Sequence, residues 1–153
     1  MEMNSSSVTA KTTHKLVMIV DDSSIDNFVN QKMISLNNFS EKIQAFTKAK
    51  KAIEFLSELD NPNTLQEEIP SVIFLDLNMP EVSGFEFLKH YENFSPKIKD
   101  YCSVIILTSS VNPADLALSF SNSDILTFLN KPLLKPNFEL IELLRNKKLM
   151  AVS

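Results

Sequence analysis

Several short stretches of this chain are apolar almost without a break: KLVMIV at Lys15–Val20, VIFL at Val72–Leu75 and VIIL at Val104–Leu107. A strand with one face in water alternates apolar and polar residues, whereas a strand covered on both faces does not. These runs are therefore read as strands buried on both sides, and Ile125–Leu129 as another. KIQAF at Lys42–Phe46 alternates as a short strand would. Covering both faces requires helices above and below the sheet.

The segments between the strands supply those helices. Ser23 is placed to cap one, with Asp26 in capping-box position. Ile25, Val29, Met33 and Leu36 follow at helical spacing, and Asn37-Asn38 ends the helix. Thr47 is expected to cap a second helix carrying Ala49, Ile53, Leu56 and Leu59, closed by turn residues from Asp60 to Asn63. Phe85, Phe87 and Leu88 mark a third, after Gly84. A fourth is expected over Ala114–Phe120, with Pro113 in its first turn. Pro136 opens a fifth through Phe138, Leu140, Ile141, Leu143 and Leu144, with Lys147 and Lys148 suiting its carboxyl end. Strand and helix alternate five times, which predicts one α/β domain over residues 15–149. A disordered tail is expected at residues 1–14 and a short one at 150–153.

Composition excludes several functions. A net charge of −4 and a pI near 5.2 give no basic face for nucleic acid or for an anionic membrane. One glycine in 153 residues leaves no dinucleotide fingerprint and no P-loop, since both need several glycines for backbone to approach phosphate. The single cysteine, Cys102, opens an apolar run and is expected as a small buried hydrophobe in a cytoplasmic protein. Cys102, His14 and His90 match no zinc spacing.

Polar residues at the ends of the strands carry the chemistry. In an open parallel sheet the ligand site lies beyond the carboxyl ends of the strands. The first strand runs into Asp21-Asp22, the third into Asp76, the fourth into Thr108 and the fifth into Lys131. Turns favour Asp, Ser and Thr anyway, so any one of these alone means little. Together they place three acids, a hydroxyl and an ammonium along one edge. Acids so gathered repel unless a cation intervenes, and oxygen ligands suit Mg²⁺. Such a site is fit to receive a phosphoryl group, with Asp76 attacking phosphorus, Asp21 and Asp22 holding the ion, and Lys131 and Thr108 meeting the phosphoryl oxygens.

The segments VDDSS (Val20–Ser24), FLDLNMPEVSGFEFL (Phe74–Leu88), ILTSS (Ile106–Ser110) and LNKPL (Leu129–Leu133) together resemble the receiver domain of two-component response regulators, over about Lys15–Leu149. The resemblance implies a (βα)5, doubly wound, flavodoxin-like three-layer sandwich with parallel sheet order 2-1-3-4-5. It implies Asp76 as phosphoacceptor and Asp22 as direct ligand of Mg²⁺, with Mn²⁺ able to take its place. Asp21 would act largely through water, and the main-chain carbonyl of Asn78 would complete the metal shell. Thr108 and position 128 would form the switch, Lys131 the conserved-type lysine, Pro132 a cis bond, and Gly84 the glycine of the loop after the acceptor. Phe128 stands where many members carry Tyr, and Ser109 where a smaller residue is common, which bears on acyl-phosphate hydrolysis.

The implied function is a stand-alone response regulator that assists its own phosphorylation but is no enzyme otherwise. A sensor histidine kinase or a histidine phosphotransfer protein would be the donor, with Phe28 as a candidate contact. The fourth helix, fifth strand and fifth helix would rearrange to bind an output protein or pass the phosphoryl group on. Three other classes share part of the pattern. A receiver fold can serve as an interaction module without phosphorylation. A phosphatase of the haloacid dehalogenase type wants a second acid two residues after its nucleophile, where this chain has Asn78. A flavodoxin-like cofactor binder would need a phosphate loop where Asp21-Asp22 stand.

Overall fold

A computed structural model describes residues 13–79, 83–109, 113–114, 117 and 121–152. The strands are β1 (His14–Val20), β2 (Ser40–Phe46), β3 (Val72–Leu75), β4 (Ser103–Thr108) and β5 (Ile125–Asn130). All neighbours pair in parallel, in the order β2-β1-β3-β4-β5, which is the expected order. The helices are α1 (Ser24–Leu36), α2 (Ala49–Leu59), α3 (Gly84–Tyr91), the single turn α4 (Pro96–Lys99) and α5 (Lys135–Val152). The helix expected over Ala114–Phe120 falls largely outside the described residues, as do the tail 1–12 and loop positions 80–82.

Strand periodicity divides the interior into two cores. Val17 and Ile19, Phe74, and Ile105 and Leu107 face one side, where Ile34 of α1 and Phe138 and Ile141 of α5 cover them. Met18 and Val20, Ile73 and Leu75, and Val104 and Ile106 face the other, against Ala52 and Leu56 of α2 and Phe87, Leu88 and Tyr91 of α3. Each such large side chain removed from water contributes about 2–3 kcal/mol. Cys102 sits in the second core, fully buried, its Sγ 2.8 Å from the Pro70 carbonyl; burial pushes its thiol up to about 12.

Three local expectations are corrected. In α1 the anticipated apolar stripe mostly faces outward: Ile25 is 74% exposed, Leu36 75% and Val29 38%, and of the four only Met33 packs against the core, half-buried. The buried positions are Asn27, Asn30 and Ile34, because this face must meet polar backbone as well as the core. Asn27 Nδ2 donates to the Asp21 carbonyl at 2.8 Å, and Asn30 Oδ1 accepts from the Leu133 amide at 3.0 Å. Helix α2 begins one residue later than a Thr47 cap requires; Lys48 is the N-cap and no side chain bonds there. The α1 cap does form, with Ser23 Oγ accepting from the Asp26 amide at 3.1 Å, but the Asp26 carboxylate is engaged elsewhere. Asn37 and Asn38 end α1 as expected, Asn38 in the left-handed region at φ 50°. The connection from Asp60 to Pro70 is pinned at its start, where the Asp60 carboxylate accepts from the Ser95 amide and hydroxyl at 3.0 and 2.5 Å. It also contains a 3₁₀ turn at Gln66–Glu68.

Candidate functional site

The sheet ladder itself carries the acids into place. The Asp21 amide donates to the Phe46 carbonyl at 3.0 Å, the Asp76 amide to the Val20 carbonyl at 2.9 Å, and the Lys131 amide to the Thr108 carbonyl at 2.7 Å. These residues thus stand one step beyond the paired ends of β1, β3 and β5, at the carboxyl edge. The carboxylates of Asp21, Asp22 and Asp76 converge, each offering an oxygen within 4.8 Å of the others. Asp21 and Asp76 are buried and Asp22 is exposed.

Lys131 lies among them. Its ammonium is 2.6 Å from Asp21 Oδ2, 2.9 Å from Asp26 Oδ2 and 3.5 Å from Asp76 Oδ2. Burial works against this charge, but the carboxylates of Asp21, Asp26 and Asp76 outweigh it and hold the lysine above its ordinary value. For Asp76 burial comes first: it pushes the carboxyl up, Asp21 and Asp22 add repulsion, and the Asn78 amide and Lys131 oppose them, leaving it at about 6. The Asn78 amide donates to Asp76 Oδ1 at 3.1 Å, and the Ser23 amide to Asp21 Oδ1 at 2.9 Å.

Four carboxylates meet one ammonium here, so the site is electrostatically incomplete. Every candidate ligand is a carboxylate or carbonyl oxygen, with no imidazole or thiolate among them. That donor set and that excess of negative charge fit a hard divalent cation of the Mg²⁺ class, and do not fit zinc. Asp21, Asp22 and Asp76 are the side chains that would hold it.

Gly84 packs against the backbone of Asp76 and Leu77. A Cβ at Gly84 would lie 2.6 Å from the Asp76 carbonyl oxygen and 2.6 Å from Leu77 Cα, too close for any side chain. The Gly84 amide donates to the Leu77 carbonyl at 3.1 Å, which ties the start of α3 to this loop. Thr108 ends β4 and is buried; Phe128, in register with Ile106 on β5, is half-buried against the second core. The Lys131–Pro132 bond is cis. Phe28, on the outer face of α1, is 61% exposed.

The sequence did not point to Asp26 as a partner of Lys131. Its capping-box position gave it a local role, and nothing in the spacing shows that the fifth strand returns beside it.

The pattern of the response regulator receiver domain matches residues 17–145. The chain belongs to that family. It is 33% identical over 119 residues to the two-component response regulator ORR1 of Oryza sativa subsp. japonica, covering 76% of this chain. It spans about half of that rice protein, 49% of its length. Among solved structures, a two-component response regulator from Cytophaga hutchinsonii superposes with a TM-score of 0.75 at 30% identity, covering 90% of this chain and 98% of that one. A response regulator receiver protein from Dyadobacter fermentans gives 0.73 at 30% identity, covering 85% and 97%. The Mn²⁺-bound form of response regulator Rcp1 gives 0.63 at 25% identity, covering 91% and 97%. These likenesses bear out the predicted fold and the predicted family. Among the described residues no helix is long and apolar enough to cross a membrane.

Proposed function

We propose that this receiver domain accepts a phosphoryl group on Asp76 from a phosphohistidine donor, in a reaction that requires a divalent cation. The observation that carries this reading is the convergence of Asp21, Asp22 and Asp76 around a common point with Lys131 beside them. A carboxylate oxygen of Asp76 forms the new bond to phosphorus as the P–N bond breaks, and the imidazole leaves with the electron pair. A bound Mg²⁺ supplies positive charge to the phosphoryl oxygens; Asp21, Asp22 and the Asn78 carbonyl are the groups to hold it. That the response regulator Rcp1 has a Mn²⁺-bound form supports the reading that this fold takes a divalent cation. Lys131 and the Thr108 hydroxyl would meet the remaining oxygens.

Once phosphorylated, Asp76 carries nearly two negative charges. Thr108 would turn toward them and Phe128 would move into the space released, altering the face around β5 and α5. The exposed apolar face of α1, with Phe28 and Ile25 outermost, supports docking of a sensor histidine kinase or histidine phosphotransfer protein beside the site. The listener to this switch would be a protein that recognises the altered face, or a second acceptor of the phosphoryl group.

Incubation with acetyl phosphate and Mg²⁺ is expected to add one phosphoryl mass to the protein, and none to Asp76→Asn. Equal labelling of that variant would refute the assignment. Turnover of p-nitrophenyl phosphate would instead favour the phosphatase reading, which lacks an acid at Asn78.

A further inference from the structure

Lys131 is more firmly committed to α1 than to the acceptor. Its ammonium donates to Asp26 Oδ2 at 2.9 Å and lies 2.6 Å from Asp21 Oδ2, whereas Asp76 Oδ2 is 3.5 Å away. Hydrogen bonds from nitrogen to oxygen fall at about 2.7–3.2 Å, so Asp76 is outside that range. Two of the three N–H donors of the ammonium are engaged by Asp21 and Asp26, and the position they impose leaves it 3.5 Å from Asp76, so that moving closer works against their pull.

Asp26 is the partner with no other duty at the site. It does not belong to the group of carboxylates that could share a cation, which comprises Asp21, Asp22 and Asp76. Its backbone amide is already capped by Ser23 Oγ, so its carboxylate is not needed to start the helix. The Asp26 side chain is 40% exposed and Lys131 only 11%, which places the acid on the solvent side of the lysine. A cation bound between Asp21 and Asp76 would draw Asp21 away from the ammonium and leave Asp26 as the tether.

We infer that Asp26 is a positioning residue that holds the Lys131 ammonium back from Asp76, so that its approach to the incoming phosphoryl group works against the pull of α1. This rests on the phosphoacceptor reading above, and it makes Asp26 a brake on that reaction rather than part of it. The brake is modest, because a half-exposed ion pair contributes little compared with a buried one. It also links the chemistry to α1, because the pull on the ammonium comes from the helix whose neighbouring face carries Ile25 and Phe28.

The test compares wild type with Asp26→Asn, Asp26→Ala and Asp26→Glu. Labelling by acetyl phosphate is followed by intact mass at varied donor and Mg²⁺ concentrations. Removing the charge is expected to raise the labelling rate at saturating donor roughly fivefold, a size set by an exposed ion pair. The Mg²⁺ concentration at half-maximal rate should stay put, and Asp26→Glu should return the rate to that of wild type. A residue needed only for folding would lower the rate in both neutral variants and would not be rescued in this way. Labelling of either neutral variant at or below the wild-type rate, in a wild type that labels well, overturns the inference and leaves the phosphoacceptor reading standing. A second measurement does not depend on phosphorylation. The ¹⁵N ammonium signal of Lys131, assigned by its loss in Lys131→Arg, should exchange with water faster in Asp26→Asn than in wild type. An unchanged exchange rate would overturn the tether, even if wild type itself takes no label.

Discussion

The two edges of the same sheet treat buried polar groups in opposite ways. At the amino edge the cations of α5 are met by neutral acceptors. Arg145 of α5, only 4% exposed, donates to the carbonyls of Ser71 and Tyr101 at 2.9 and 2.5 Å and to Ser103 Oγ at 3.0 Å. His14 bridges Ser71 Oγ at 2.6 Å and Glu142 Oε1 at 2.5 Å. Lys148 reaches the carbonyls of Lys99 and Cys102. At the carboxyl edge three carboxylates share one lysine, and one of them, Asp76, is pushed up to about 6 first by burial and then by its acidic neighbours. The satisfied edge resembles a buried hydrogen-bond network whose purpose is to fix α5 against the strands. The unsatisfied edge spends stability to keep a charge deficit.

The contrast can be broken most forcefully at the amino edge. Arg145→Ala would leave three acceptors without their donor and remove the stem that packs against Tyr101, where the guanidinium carbon lies 4.9 Å from the ring centroid. It should cost about 3 kcal/mol in urea unfolding, with acetyl phosphate labelling of the folded protein unchanged. A loss below about 0.5 kcal/mol would remove the claim that this network is structural.

Asp76→Asn should do the reverse and stabilise the metal-free protein. The folded value of the Asp76 carboxyl, about 6, lies above its ordinary 3.8. Below 3.8 the carboxyl is protonated in both states and imposes no penalty. As pH rises the unfolded carboxyl ionises first, so wild type loses stability until the folded group also ionises, and the loss is complete above about 6. The variant should therefore gain on the order of 2 kcal/mol at pH 8 and almost nothing at pH 3. Added Mg²⁺ should narrow the difference by stabilising wild type. A gain that grew toward low pH would contradict the assigned direction.

The smallest effect is expected on the outer face of α1. Phe28→Ser should change stability by less than about 0.5 kcal/mol, because the ring is already largely in water. It should nevertheless slow transfer from a phosphohistidine protein while leaving labelling by acetyl phosphate alone. Equal slowing with both donors would place Phe28 in the fold rather than in docking.

Much of the carboxyl edge could be read from the chain because each of its residues sits directly after a strand. An apolar run fixes the strand, the strand fixes the edge, and Asp21, Asp76, Thr108 and Lys131 follow. Asp26 escaped because its contact with Lys131 joins residues 105 apart through the closing of the sheet. The amino edge was illegible for the same reason: His14 and Glu142 are 128 apart, and no motif links them. The face of α1 was misjudged on physical grounds. Periodicity finds the side richest in apolar residues, yet Asn27 and Asn30 turn inward because the backbone at Asp21 and Leu133 offers them partners. A helix whose hydrophobic side looks outward is read correctly only once its polar obligations are known.

Gly84 has a last consequence, for the protein's history rather than its chemistry. The chain contains one residue without a side chain, and it abuts the peptide that bears the acceptor. Any other amino acid there would thrust a carbon to 2.6 Å from the Asp76 carbonyl oxygen, so the backbone on one side or the other would have to shift. A lineage that kept the fold but lost that glycine would have had to rebuild the acceptor loop around the intruder.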